Sequence, residues 1–263
     1  MRGGANEVPS DRQNLLDCWL QVSGRVRSAK RVALFLDFDG TLAPFRKRPE
    51  QVRMSDRTRR ALRRLVREPR VRVFVLSGRR RADVKDRVRV RGILCFGLHG
   101  WEGPATAVPK PAGGLLRRAR HELRNSVRGL RGVWIEKKGP VFALHVRGAA
   151  PEAVRRAGAA VRRVMSEFKP KLRVLPGNHV WEVMPRELQG KGATARALLR
   201  RMPAATLPIY AGDDTTDESA FAALRRGITI CVGARQPTKA RFDLHGPPEV
   251  CRFLEKLARE LGA

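Results

Sequence analysis

A doubly wound α/β core with a smaller α+β unit inserted into it is the fold class that the sequence predicts, from three observations. Short continuous apolar runs alternate with amphipathic helical segments, as strands buried on both faces of a mostly parallel sheet should. Polar clusters fall at the C-terminal ends of those runs, where open α/β sheets bind ligands. In the middle of the chain the pattern changes to a helix followed by two alternating strands, given twice over, the mark of an antiparallel sheet.

Taken in order, residues 1–30 are polar and read as an N-terminal extension, with one amphipathic stretch around Leu15, Leu16, Trp19 and Leu20. Val32 to Leu36 is the first buried strand and ends in Asp37. A helix follows to about Arg67, with Ser55 or Asp56 as N-cap. Val71 to Leu76 is the next strand, ending in Ser77-Gly78-Arg79; a helix over 80–89 leads to a strand at Ile93–Phe96. After a Gly/Pro-rich stretch come a helix over 115–129, strands at 133–136 and 141–147, a helix over 152–167, and strands at 171–175 and 179–184. The first pattern then resumes, with a helix from Lys191, strands at 207–211 and 228–232, a helix from Thr216 between them, and a helix from 248. The expected core therefore spans 31–110 and 186–263, with an inserted cap domain at 111–185.

Composition narrows the function classes. Fifty-five Lys and Arg against 25 Asp and Glu give a formal charge of +30, a field that favours anionic partners. The arginines are spread over many helices, and no aromatic-basic interleaving of the single-strand-binding kind occurs, which argues against nucleic acid as a partner. The four cysteines form no Cys-x-x-Cys pair and the five histidines show no ligand spacing, which argues against a zinc site and for a reducing cytoplasm. No signal peptide is read at the N-terminus, and the apolar runs are too short to span a membrane.

Chemistry concentrates at the strand ends. Asp37 and Asp39 stand two residues apart, so on an extended chain both side chains can face one way, one as nucleophile and one as general acid/base. A strand entering a polar turn accounts for the same residues. Gly212-Asp213-Asp214-Thr215-Thr216-Asp217-Glu218 places four acids in six positions, an assembly that a Mg2+ ion would hold together. Capping of the next helix explains Asp214 to Asp217 equally well, so Asp213 is expected on the metal, with Asp214 and Asp217 behind it or structural. Ser77, Gly78 and Lys191 offer a hydroxyl, an amide and an ammonium suited to phosphoryl oxygens.

The order Asp37-Phe38-Asp39-Gly40-Thr41-Leu42, Ser77-Gly78-Arg79, Lys191, Gly212-Asp213-Asp214 resembles the four-motif signature of the haloacid dehalogenase superfamily. Finer detail resembles the trehalose-6-phosphate phosphatase family: Gly97-Leu98-His99-Gly100, Glu136-Lys137-Lys138 before His145-Val146-Arg147, Trp181 to Pro185 before Gly190-Lys191-Gly192, and Asp213 to Glu218 before Ala220-Phe221. Leu98, Phe38 and Asn178 depart from the residues common there. The resemblance implies an Asp37 aspartyl-phosphate intermediate, Asp39 as acid and then base, and Mg2+ on Asp37, the Asp39 carbonyl and Asp213. Thr41, Ser77, Gly78 and Lys191 would bind phosphate, with Lys191 also catalytic. His99, Glu136, Lys138, His145, Arg147, Asn178 and Glu182 would bind the sugar. The implied substrate is trehalose 6-phosphate; sucrose 6-phosphate or a glucosylglycerol-type phosphate is the alternative, and a nucleic-acid-binding protein on this scaffold is the alternative of another class. With no glycosyltransferase segment in the sequence, a trehalose-phosphate synthase partner is expected on a separate chain.

Overall fold

The computed structural model describes residues 12–46, 48–103, 113–139, 141–187, 190–233 and 237–263. In chain order, the first half comprises β1 (Gln13–Asn14), α1 (Trp19–Ser28), β2 (Arg31–Leu36), α2 (Asp56–Arg67), β3 (Val71–Leu76), α3 (Arg81–Val88) and β4 (Leu94–Phe96). Then come α4 (Gly113–Ser126), β5 (Trp134–Lys138), β6 (Val141–His145), α5 (Pro151–Phe168), β7 (Leu172–Gly177) and β8 (Val180–Pro185). The chain continues through α6 (Lys191–Leu199), β9 (Thr206–Gly212), α7 (Glu218–Ala223), β10 (Ile228–Val232), β11 (Phe242–Leu244) and α8 (Pro247–Glu260).

Alternation along β2 organises the larger sheet. Val32, Leu34 and Leu36 enter one apolar cluster, whereas Ala33 and Phe35 enter another on the opposite face. A strand covered on both sides needs helices on both faces, and the seven strands are all parallel, in the order β1-β11-β10-β9-β2-β3-β4. The chain winds outward from β2 through β3 and β4 in one direction and from β9 through β10 and β11 in the other. Between β2 and β9 the winding reverses, and such a switch point leaves a crevice at the carboxyl ends of its two strands. Asp37 follows β2 and Asp213 follows β9, so the crevice is where the acids meet. The Asp37 N–H donates to the Ala211 carbonyl at 2.9 Å and locks the two ends together.

The segment between β4 and α6 builds its own antiparallel sheet, in the order β5-β6-β8-β7. Its outer face packs on α4 and α5 through Leu116, Leu123, Phe142, Leu144, Val161 and Val183, a cluster separate from the two around the large sheet. The predicted fold class, a doubly wound parallel sheet with an antiparallel insertion, is the one observed. The expected boundary at 110/111 lies outside the described residues.

Two departures concern the edge of the large sheet. The segment before residue 31, expected as an extension, supplies β1, which pairs with β11, and α1, whose Trp19, Val22 and Val26 join the main core. The Trp19 ring meets Phe253 of α8 edge-on, with centroids 6.1 Å apart. Neither β1 nor β11 was predicted, because strands of two and three residues are too short to carry a periodicity. Glu249, in the first turn of α8, fastens this edge: it accepts from the Asn14 side chain at 2.9 Å, the His245 N–H at 2.8 Å and Arg252 at 2.7 Å. Burial works against its charge, but the His245 N–H and the Asn14 amide outweigh it and hold the carboxyl at about 2, below its usual 4.5. A lowered carboxyl stabilises the fold at pH above its unfolded value and loses that effect as pH falls through the folded one. Glu249→Gln should therefore cost about 1 kcal/mol near neutrality. In denaturant titrations repeated at falling pH, its deficit against the wild type should shrink from pH 4.5 toward 2.

Candidate active site

Lys191 begins α6 with 2% of its surface exposed, a burial that an ammonium tolerates only with anionic partners. It donates to Asp37 Oδ1 at 2.5 Å and to Asp217 Oδ1 at 2.9 Å. Tyr210, inside β9, adds a hydrogen bond to the same Asp217 oxygen at 2.6 Å, and the Asp214 N–H donates to the other at 3.0 Å. Asp217 is thereby consumed by structure: it anchors Lys191 and closes a capping box with Asp214 at the turn before α7. Gly212 is required beside it, because a Cβ there would lie 2.3 Å from the Asp217 carboxyl carbon.

Asp37 and Asp213 remain to face each other. Among the described residues, Asp37, Asp213 and Asp217 each present a carboxylate oxygen within 4.8 Å of the other two. Burial, first, and the neighbouring acids push the Asp37 carboxyl up to about 7 against the pull of Lys191, and raise Asp213 well above the carboxylate range. Lys191 moves up from its ordinary value, since the two aspartates outweigh the burial that would lower it. Oxygen-only donors crowded so closely that one lysine does not offset them fit a divalent cation. Gly40, in the left-handed region at φ 83°, lets the loop after β2 pass this pair; a Cβ would lie 2.3 Å from Asp213 Oδ2.

A cavity of about 380 Å³ lies between these strand ends and the inner face of the antiparallel sheet. It brings together Asp37, Asp39, Gly78, His99, Lys191, Asp213 and Asp214 with Glu136, Lys138, His145, Arg147, Asn178 and Glu182 from the inserted unit. Three predicted residues lie beneath the lining. Thr41, expected at phosphate, donates its hydroxyl to Asp213 Oδ1 at 3.2 Å. Ser77 is buried, and its Oγ accepts from the Arg79 N–H at 3.2 Å. Asp217 has the structural place already described.

The two units meet through His99. It bonds Glu182 through Nε2, and Glu182 accepts from Lys138 at 2.7 Å. Burial penalises the Glu182 charge, but Lys138 and His99 overcome the penalty and hold its carboxyl well below the usual range. His99 reaches across because Leu98 and His99 both take left-handed backbone angles, φ 49° and 59°, an arrangement that costs energy in residues other than glycine. The His99 N–H donating to the Ser77 carbonyl at 2.8 Å helps to fix that loop. Beside it, His145 pairs with Glu136 at 2.8 Å, and Arg147 lies over the Phe45 ring, 5.1 Å from its centroid.

Arg79 was missed as a functional side chain, although its Ser-Gly-Arg turn was noted. Its guanidinium grips both Asp39 oxygens, at 2.7 and 2.6 Å, and bonds Asp83 at 2.8 Å. Asp83 is held in turn by Arg87 at 2.7 Å. The usable signal was the spacing: Asp83 and Arg87 stand four apart on one face of α3, and Arg79, four residues before Asp83, lies just ahead of the helix.

Comparisons with known proteins agree with this geometry. A family model described as trehalose-phosphatase matches residues 35–248. The chain belongs to the trehalose-phosphatase family. It is 36% identical over 254 residues to the trehalose-phosphate phosphatase of Mycobacterium tuberculosis, covering 89% of this chain and 63% of that protein. It is 38% identical over 256 residues to an uncharacterized glycosyl hydrolase of the same organism, covering 90% of this chain but only 19% of that much longer protein. The C-terminal domain of Candida albicans trehalose-6-phosphate phosphatase superposes with a TM-score of 0.85 over 96% of this chain and 99% of that one; at 20% identity it attests the fold. The matched span of the trehalose-phosphatase family model runs from β2 to the start of α8 and so contains every acid of the crevice.

Lys191→Met should destabilise the protein by about 3–5 kcal/mol, the cost of stranding buried carboxylates. Adding Asp217→Asn in the same chain should recover part of that loss. Denaturant midpoints of the four members of this double-mutant cycle measure the coupling.

Proposed function

We propose that this chain is a Mg2+-dependent phosphatase that hydrolyses trehalose 6-phosphate to trehalose and phosphate. One observation carries the reading: a buried carboxylate, Asp37, sits at the floor of a cavity with Lys191 on one oxygen and Asp213 opposite, under a sheet face of paired acids and bases. Membership of the trehalose-phosphatase family and the alignment with named trehalose-phosphate phosphatases over 89% of the chain support the choice of substrate.

Asp37, Asp213 and the Asp39 carbonyl would hold the ion. When bound, Mg2+ supplies the positive charge that lets Asp37 and Asp213 ionise together and that offsets charge on the phosphoryl group. An Asp37 oxygen attacks phosphorus, the P–O bond to the sugar breaks, and an aspartyl-phosphate forms. Asp39 gives its proton to the departing sugar oxygen, then accepts one from the water that opens the aspartyl-phosphate. Both Asp39 oxygens are held by Arg79, so at least one must be released for this step. Lys191 and the Gly78 amide steady the phosphoryl oxygens from the strand-end side. Ser77 and Thr41 act from beneath, Ser77 shaping the turn and Thr41 orienting Asp213. Residues 111–185 then serve as a cap that excludes water and reads the sugar through Glu136, Lys138, His145, Arg147, Asn178, Glu182 and the bridging His99. This reading implies a glycosyltransferase as the source of substrate and the cytoplasm as the compartment, in keeping with four buried cysteines all free.

The test is phosphate release from a panel of trehalose 6-phosphate, sucrose 6-phosphate and glucose 6-phosphate, with and without Mg2+. Trehalose 6-phosphate should be turned over fastest, chelation of the metal should abolish release, and Asp37→Asn should lower kcat by more than about a thousandfold. Release from sucrose 6-phosphate but not trehalose 6-phosphate would overturn the substrate; release from none would overturn the enzyme.

A further inference from the structure

Among the described residues, Trp134 is an exposed large apolar side chain that stands inside a polar cavity. It lines the cavity, yet 45% of its surface is exposed, whereas the other large apolar side chains of the lining are less so. It begins β5 on the same face as Glu136 and Lys138, since alternate residues of a strand share a face. Its cross-strand partner in the ladder is His145 of β6. The imidazole lies flat against the indole, with ring centroids 4.1 Å apart and planes 12° from parallel, and its Nε2 is tied to Glu136 Oε2 at 2.8 Å.

Each of these facts constrains the indole. The His145 ring covers one of its faces, so the exposure that remains falls on its edge and its other face. Rotation away from His145 would give up the stack, and the bond to Glu136 keeps His145 itself from turning. An exposed apolar ring held rigidly inside a polar cavity is unfavourable unless a ligand covers it. Along β5 the indole stands four residues, about 13 Å of strand, from Lys138. The inner sheet face therefore carries two different recognition elements. At the Lys138 end are charged groups, with Glu182 held between Lys138 and His99. At the other end is a flat aromatic surface.

We infer that Trp134, braced by His145, is a stacking platform for a pyranose ring and a determinant of selectivity for disaccharide over simpler phosphate esters. The C–H face of a pyranose is apolar and edged with weakly positive hydrogens, the complement of the negative face of an indole. Hydroxyl groups at the rim of the same ring remain available to Glu136 and Arg147, both in the cavity lining. In this arrangement His145, besides lining the cavity, is also a positioning residue, because it holds Trp134 in place. The inference rests on the sugar-phosphate reading above and adds to it a residue that no motif in the sequence marks.

The experiment compares kcat/KM for trehalose 6-phosphate with kcat/KM for p-nitrophenyl phosphate, an ester without a sugar, in the wild type, Trp134→Ala and Trp134→Phe. The ratio of the two should fall about tenfold in Trp134→Ala, mainly through a higher KM for the disaccharide phosphate, and recover most of its value in Trp134→Phe. A ratio that does not move, or equal losses on both substrates, overturns the platform while leaving the phosphatase reading intact. A wild type that turns over neither trehalose 6-phosphate nor sucrose 6-phosphate overturns the parent reading and the platform with it.

Discussion

The ammonium of Lys191, buried between Asp37 and Asp217, is the charge around which the crevice is built. Strand topology delivers Asp37 and Asp213 to the same place, because β2 and β9 are neighbours at the point where the winding reverses. Topology alone would leave the carboxylates repelling one another in a dry setting, where each charge costs several kcal/mol to bury. Lys191 reduces that repulsion on one side, and the Tyr210 hydroxyl and Asp214 amide satisfy Asp217 on the other. What they leave unbalanced is the facing pair Asp37 and Asp213, so the part of the site made incomplete by charge is also the part positioned for chemistry.

A second relay keeps Asp39 in order. Arg79 binds both of its oxygens and is steered by Asp83 and Arg87 from one face of α3. Arg87 also donates to the Val52 carbonyl at 2.7 Å and so ties the helix to the loop beyond β2. The large arginine excess acquires a partial physical account in this way. Many of these guanidiniums serve as multidentate clamps on backbone carbonyls, as with Arg59 on Arg87 and Val88, and Arg70 on Leu261. Others lie on exposed helix faces, where they contribute to the field that favours anionic substrates.

The proposed sugar recognition rests on the second sheet. Its inner face offers buried ionic pairs at one end and an indole at the other, while its outer face is occupied by α4 and α5. The His99–Glu182–Lys138 bridge draws that inner face down over the strand ends. A left-handed loop at Leu98 and His99 is the backbone cost of reaching it.

Where a residue's role depends on its own strand, the sequence was legible. Val32 to Leu36 and Val71 to Leu76 announce themselves as apolar runs because both of their faces are covered, and the polar residues that follow, Asp37 and Ser77, mark the strand ends. Ser55 was readable as a cap because its side chain accepts from Thr58, three residues away. The pairing of Lys191 with Asp217 and Asp37 was not readable, since it joins positions 26 and 154 residues apart. Nor was the diversion of Thr41 to Asp213, the grip of Arg79 on Asp39, or the stack of Trp134 on His145, each of which depends on register or on the approach of separate elements. The sequence by itself determined the fold class, the crevice acids and the family motifs, because local periodicity and short spacing encode them. Tertiary structure alone decided which acid anchors the lysine, which stay unbalanced, and which aromatic ring lines the cavity. Those outcomes depend on distances between chain segments, and no local pattern carries such distances.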